Sequence, residues 1–266
     1  SQELTRLSAN QFATELREYA GTLSMFGREL SRVMTDKIAL RQALAAAGNR
    51  LVVFDGGVVV LDSYGKVIGT QPVRADIVDA DWSGRTYFAD LLRGDIVAYS
   101  DILPDGPDGR EVIGIAVPVI GDRGELLGIL NGQFRVGLDA TGALYGSIVK
   151  LRNGLAAESL LVDSNGEIFY HYNPALIGTV ATGHPAWQAA TRGESGGFRS
   201  LLPQNRDLVT SYAPVPGTPW YVIRETSWNV LMAPSRGYRH FLILLLALGF
   251  IVPALVTAWG VRRITH

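Results

Sequence analysis

Along the first fifty residues the apolar positions keep a helical rhythm, with Phe12, Leu16, Tyr19, Leu23, Phe26, Leu30 and Val33 alternating at intervals of four and three. That spacing places side chains on one stripe of an α-helix. It predicts one long helix over residues 1–50, closed where Gly48 and Asn49 interrupt the pattern. The stripe suits packing of the helix on its own domain and equally pairing with a second copy of itself, and different faces can serve both.

From Leu51 the rhythm changes to β-branched runs divided by Gly, Asp and Pro turns, and the chain begins to repeat itself. Leu61-Asp62-Ser63-Tyr64-Gly65-Lys66-Val67 is echoed by Val162-Asp163-Ser164-Asn165-Gly166-Glu167-Ile168, each a strand, a turn and a returning strand. Ile68-Gly69-Thr70 finds a match in Ile177-Gly178-Thr179, and Ile115 to Val119 in Ser211 to Val215. Matches in the same order predict a duplicated module. The first copy is placed at 51–137 and the second at 157–236, joined by a helical link over 138–156 for which Asp139 is a candidate cap. Helix, hairpin, short helical segment and β-meander in each copy favour antiparallel sheets with helices packed on them, an α+β fold.

Phe241 to Trp259 carries no charge and is close to the ~20 residues that cross a bilayer's hydrocarbon core, so it is read as a membrane helix rather than a buried core helix. Pro253 within it predicts a kink. Arg262 and Arg263 place the C-terminus in the cytoplasm, although Arg236 and Arg239 on the other flank pull the opposite way. Residues 1–240 are then extracytoplasmic, on the outer side of a cell inner membrane, with 260–266 beginning a cytoplasmic relay. Ser1 opens directly in polar helical sequence, so the export signal is expected upstream, and an output region is expected beyond His266.

Bulk chemistry narrows the function classes. With 47% hydrophobic residues and a net charge of −1, the chain fits neither disorder nor a nucleic-acid surface. The absence of cysteine excludes disulfides and thiolate metal sites, and the four histidines lack the spacing of a helical zinc site, so no metal or cofactor is expected. Asp105-Gly106-Pro107-Asp108-Gly109 reads as a hairpin turn, not a calcium loop. Gly193-Glu194-Ser195-Gly196-Gly197 fits the nucleophile-elbow pattern, but a helix-like stretch precedes Ser195 and a strand-like one follows, the reverse of what that chemistry needs. No catalytic residue is assigned. A membrane-anchored hydrolase using Ser195 and a module that binds another protein without a small molecule remain the alternatives.

The segment Trp82-Ser83-Gly84-Arg85-Thr86-Tyr87-Phe88, followed by Tyr99-Ser100, Ile115 to Val119 and Gly124 to Leu130, resembles the double Cache sensor domains of bacterial receptors. The resemblance implies a PAS-like sheet in each module and a place outside the membrane in chemoreceptors, sensor histidine kinases or cyclic-dinucleotide enzymes. It also implies a small-molecule pocket in the first, membrane-distal module, and a second module that transmits. Arg85 offers a fork of donors for a carboxylate, and Trp82 and Tyr87 would wall the site. Taken alone, the residues equally allow Arg85 to pair with Asp79, Asp81 or Asp90 at the surface; the resemblance favours a ligand. Tyr99 and Asp101 share one face of a strand by alternation, which allows both to point into the pocket; the residues equally allow either to face solvent and Asp101 to begin the turn. Amino-acid-binding members carry an Asp where this chain has Gln133, which favours an organic acid over an amino acid. The expected partners are that ligand, the membrane and a second copy through the N-terminal helix.

Overall fold

A computed structural model describes residues 2–137, 142–150, 157–202, 206–229 and 245–253. The stripe that opens the chain lies in helix α1 (Gln2–Leu30), with Phe12, Leu16, Leu23, Phe26 and Leu30 buried. It packs on the helix's own domain, with Tyr19 and Val33 partly buried against the same core. The single helix expected over 1–50 is broken. After Leu30 the chain turns, and Asp36 opens α2 (Lys37–Ala46) by accepting the amides of Ile38 and Ala39 with one carboxylate oxygen. A short α3 (Gly48–Leu51) follows. The fold-back has a packing reason: it lays Leu40 and Leu44 over Gly69, where a Cβ would stand 2.8 Å from a Leu44 methyl. A straight continuation of α1 would carry both leucines away from the sheet.

The first sheet runs β2-β1-β6-β5-β3, with β4 pairing onto β5. Its strands are β1 (Gly57–Asp62), β2 (Val67–Gln71), β3 (Ala98–Tyr99), β4 (Leu103–Pro104), β5 (Glu111–Ile120) and β6 (Leu126–Arg135), and α4 (Thr86–Leu92) lies between β2 and β3 in sequence. Helix α5 (Ala143–Lys150) leads to the second sheet, ordered β8-β7-β11-β10-β9. These strands are β7 (Ala157–Val162), β8 (Ile168–His171), β9 (Gly196–Leu202), β10 (Arg206–Pro214) and β11 (Tyr221–Ser227), with α6 (Pro185–Ala190) between β8 and β9. Both sheets place the opening hairpin at one edge, the last strand beside it and the meander beyond. Two antiparallel sheets with a long first helix are the α+β arrangement predicted from the repeat. By contacts the chain divides into one compact unit of Ser1–Phe198 with Thr210–Glu225, and another of Arg199–Val209 with Thr226–His266.

The repeated turn has a common construction. Asp62 Oδ1 accepts the amides of Tyr64 and Lys66, and Asp163 Oδ1 those of Asn165 and Glu167. Gly65 and Gly166 follow at φ 88° and 85°, where a side chain would be strained. The Ile-Gly-Thr match does not extend this equivalence. Thr179 accepts the Ile168 amide as Ala80 accepts that of Val67, which makes Asp79 (φ 70°) the counterpart of Gly178 (φ 79°). Ile68 to Thr70 lie inside β2 instead. Asp163 also accepts the amide of Ile102 at 3.2 Å. Asp163→Ala is therefore expected to cost about 2–3 kcal/mol and Asp62→Ala about 1–2 kcal/mol, read by urea unfolding.

The expected membrane span at 241–259 lies largely outside the described residues. Its described part, residues 245–253, is helical, with Leu245, Leu246, Leu248, Phe250, Ile251 and Val252 exposed. Among the described residues no helix is long and apolar enough to cross a membrane. Asp139 and residues 260–266 also lie outside them.

Candidate functional site

The first sheet has two unlike faces. Val58, Val60, Ile113, Ile115, Val117, Leu130 and Phe134 share a core with α1. Val59, Leu61, Ala116 and Ile129 face the other way, onto Trp82, Tyr87, Phe88 and Leu91. Strand alternation along β6 puts Asn131 and Gln133 on this second face, each only 1% exposed. Gly57 and Gly114 stand opposite Gln133, while Val59 and Ala116 stand opposite Asn131. A Cβ on Gly114 would lie 2.6 Å from Asn131 Oδ1, so that glycine leaves room for the carboxamide.

Buried polar groups ordinarily find partners. Here Asn131 Oδ1, both terminal atoms of Gln133, the Tyr87 hydroxyl and Asp105 Oδ1 have no hydrogen-bond partner among the described residues. Arg85 and Asn131 lie beside the Tyr87 hydroxyl without hydrogen-bond geometry to it, and burial pushes its pKa up. Four side chains on this side of the sheet thus carry unused donors or acceptors, with Tyr87 close to Asn131 and Asp105 and with Gln133 two residues beyond Asn131 on the same strand face.

Arg85 precedes α4 in extended backbone, which turns its half-buried side chain back over Trp82. The guanidinium carbon stands 3.4 Å from the Trp82 ring centroid, and Nη2 donates to the Pro104 carbonyl at 2.8 Å. Burial lowers the Arg85 pKa, with Tyr87 and Asp105 acting the other way. The surface pairing allowed by the sequence does not form: Asp79 pairs with Lys66, Asp81 accepts the Ser83 amide and Asp90 pairs with Arg93. Arg85 makes no ion pair among the described residues. It is a cation stacked on an indole and beside Tyr87.

Asp105 follows β4 in the turn predicted as a hairpin, but its carboxylate points inward and is 3% exposed. Arg74 binds its other oxygen and also pairs with Asp76 at 2.5 Å. Burial raises the Asp105 pKa against the pull of Arg74. Sequence reasoning missed Asp105 and Asn131. Asn131 carried a signal, being polar two residues before Gln133 in an otherwise apolar strand.

Tyr99 and Asp101 do not join this group, contrary to expectation. Tyr99 pairs with Ile115, whose side chain faces α1, and packs edge-on against Trp220 at 5.6 Å. β3 ends at Tyr99, so alternation does not carry on to Asp101, which accepts the Ser164 amide at 3.0 Å and hydroxyl at 2.7 Å. Both serve contact with the second module. Between them Ser100 accepts the Gly114 amide with its hydroxyl at 2.7 Å, while its carbonyl accepts the Trp220 indole N–H at 3.0 Å.

The second module is better satisfied at the matching place. His184 precedes α6 as Arg85 precedes α4, yet its Nδ1 accepts the Ala186 amide and its Nε2 lies 3.2 Å from Glu225. Trp187 donates its indole N–H to the Asp163 carbonyl, and Arg192 is exposed and paired with Glu194. Ser195 follows α6 and precedes β9.

A family model described as a Cache domain matches residues 1–235. No curated protein matches the chain by sequence. Among solved structures, the ligand-binding domain of the Pseudomonas fluorescens chemoreceptor CtaA, in complex with L-isoleucine, has a TM-score of 0.65 at 15% identity, covering 87% of this chain and 92% of that one. That of the Pseudomonas aeruginosa PAO1 chemoreceptor PctB, in complex with L-Arg, has a TM-score of 0.60 at 16% identity over 87% and 95% of the two chains. The PctC domain of the same organism, in complex with GABA, has a TM-score of 0.60 at 20% identity over 85% and 97%.

Proposed function

The chain belongs to the Cache-domain family, and from that premise we propose that it is the extracytoplasmic sensing domain of a membrane receptor, reading a small organic acid in its first module. The observation that carries this reading is the Arg85 guanidinium, half-buried on Trp82 without an acidic partner among the described residues, on the side of the first sheet that carries the unsatisfied Tyr87, Asn131 and Gln133. A carboxylate there would receive charge-assisted hydrogen bonds from a preorganised fork in a poorly hydrated site. The solved domains of similar fold hold L-isoleucine, L-arginine and GABA, each of which bears a carboxylate. An organic acid is preferred because Gln133 is neutral where an ammonium would need a counter-charge.

The second module passes the change on through Asp101, Ser100 and their partners toward residues 241–259, read as the membrane helix. A ligand shifts that equilibrium only by its difference in affinity between the two states. The homodimer uses the face of α1 turned from the core, where Leu4, Leu7 and Met25 are exposed.

The test is a melting-temperature screen of the purified domain against mono- and dicarboxylates and amino acids. Arg85→Ala is expected to abolish the ligand-induced shift, equivalent to a loss of about 2–3 kcal/mol of binding, while leaving the circular dichroism spectrum unchanged. Arg85→Lys should recover only part of it, since an ammonium lacks the two-pronged geometry. An unaltered ligand response in Arg85→Ala would remove the assignment.

A further inference from the structure

We propose that the ligand's far end, opposite the carboxylate held by Arg85, is an uncharged group bearing both a hydrogen-bond donor and an acceptor, such as a carboxamide or hydroxyl, and not an ammonium. This rests on the carboxylate-sensing reading above and specifies the chemical class read by the same site.

The sheet presents the complement of such a group. Gln133 is 1% exposed and neither end of its carboxamide has a partner among the described residues. Because oxygen and nitrogen are both unsatisfied, the conclusion does not depend on which way the amide is turned. Satisfying it takes a group that accepts from the NH2 and donates to the carbonyl. Asn131 Oδ1, two residues along the same face of β6, calls for a further donor. The Tyr87 hydroxyl serves as either. An ammonium supplies donors alone, so it would leave the Gln133 NH2 unsatisfied and turned toward like charge.

The charges near Arg85 and Tyr87 point the same way. Asp105 is the buried carboxylate near Arg85 and Tyr87, and Arg74 already neutralises it; burial raises its pKa besides. A buried cation needs an available counter-charge. Gly57 and Gly114 meanwhile set no side chain opposite Gln133.

The probes are succinamate, 4-hydroxybutyrate, 4-aminobutyrate and butyrate, titrated by calorimetry into the wild-type domain, Gln133→Met, Gln133→Glu and Arg85→Ala. Succinamate or 4-hydroxybutyrate is expected to bind wild type at least about tenfold more tightly than 4-aminobutyrate or butyrate. Gln133→Met should lose that advantage while still binding butyrate, and Gln133→Glu should reverse the order in favour of 4-aminobutyrate. Gln133→Met keeps the test open if the buried glutamate prevents folding, which circular dichroism will report. Wild type preferring 4-aminobutyrate, or Gln133→Met retaining the full advantage, overturns this inference and leaves the carboxylate reading in place. If none of the probes binds, or all bind Arg85→Ala as they bind wild type, the carboxylate reading falls and this inference with it.

Discussion

Trp220→Ala is expected to lower the unfolding free energy by about 3–5 kcal/mol. The indole is fully buried between Phe12 of α1, Tyr99 of the first module and Phe169 of the second, with ring centroids 6.2, 5.6 and 5.2 Å away. Truncation removes this packing and leaves a cavity where three elements meet, and it also leaves the Ser100 carbonyl without its donor. Trp220→Phe separates the two effects. It keeps much of the volume and loses the hydrogen bond, so about 1–2 kcal/mol is expected. Urea unfolding of both variants checks the difference. Ligand binding should survive in Trp220→Phe at a temperature where the domain is folded, because the indole lies on the α1 side of the first sheet, away from Gln133.

Arg74→Met should cost about 3 kcal/mol at neutral pH, because it strands the Asp105 carboxylate in the interior. The deficit should depend on acidity in a definite direction. Burial already holds the Asp105 pKa above its ordinary value. A group with a higher pKa folded than unfolded binds more protons in the folded state, so its contribution is fully present below the ordinary aspartate value and is lost as pH rises through the folded one. Without Arg74 the folded value climbs further. The variant's deficit is therefore expected to be small in acid, to widen as pH rises, and to be largest at neutrality, as measured by urea unfolding between pH 4 and 7.5. Adding Asp105→Asn to Arg74→Met should recover much of the loss and flatten its pH dependence. An equal deficit at every pH would mean that Arg74 acts through packing alone.

The duplicated fold was legible because the Asp-Ser-x-Gly turns are built by local hydrogen bonds, and local chemistry leaves a local signature. Short motifs mislead where they rest on identity without geometry: Ile-Gly-Thr occurs in a strand in one module and after a 3-10 turn in the other. The break in the first helix was hidden, since Val33 continues the stripe beyond Leu30 and only Asp36 marks the restart. Among the candidate site residues, Arg85, Trp82 and Tyr87 could be grouped together because they are neighbours on one short segment. Asp105 could not, because acidic residues are ordinary in turns and nothing nearby in sequence announces that its carboxylate is buried by Arg74. Tyr99 and Asp101 stand apart from Arg85 and Gln133 because alternation holds only while a strand lasts, and β3 ends at Tyr99.

Helix α1 touches both sheets along its length. Near its start Thr5 meets Ser211 and Phe12 meets Trp220, while further on Tyr19 packs on Phe134 and Leu23 lies beside Gly132. At 1.5 Å per residue, Thr5 and Leu23 are roughly 27 Å apart along the axis. The helix therefore works as a common rail with teeth cut for two carriages. A ratchet by one turn would displace every tooth by about 5.4 Å, so neither carriage can advance unless the other disengages as well. Small slips meet close-packed resistance, and the motion that remains is a step between discrete seatings rather than a graded slide.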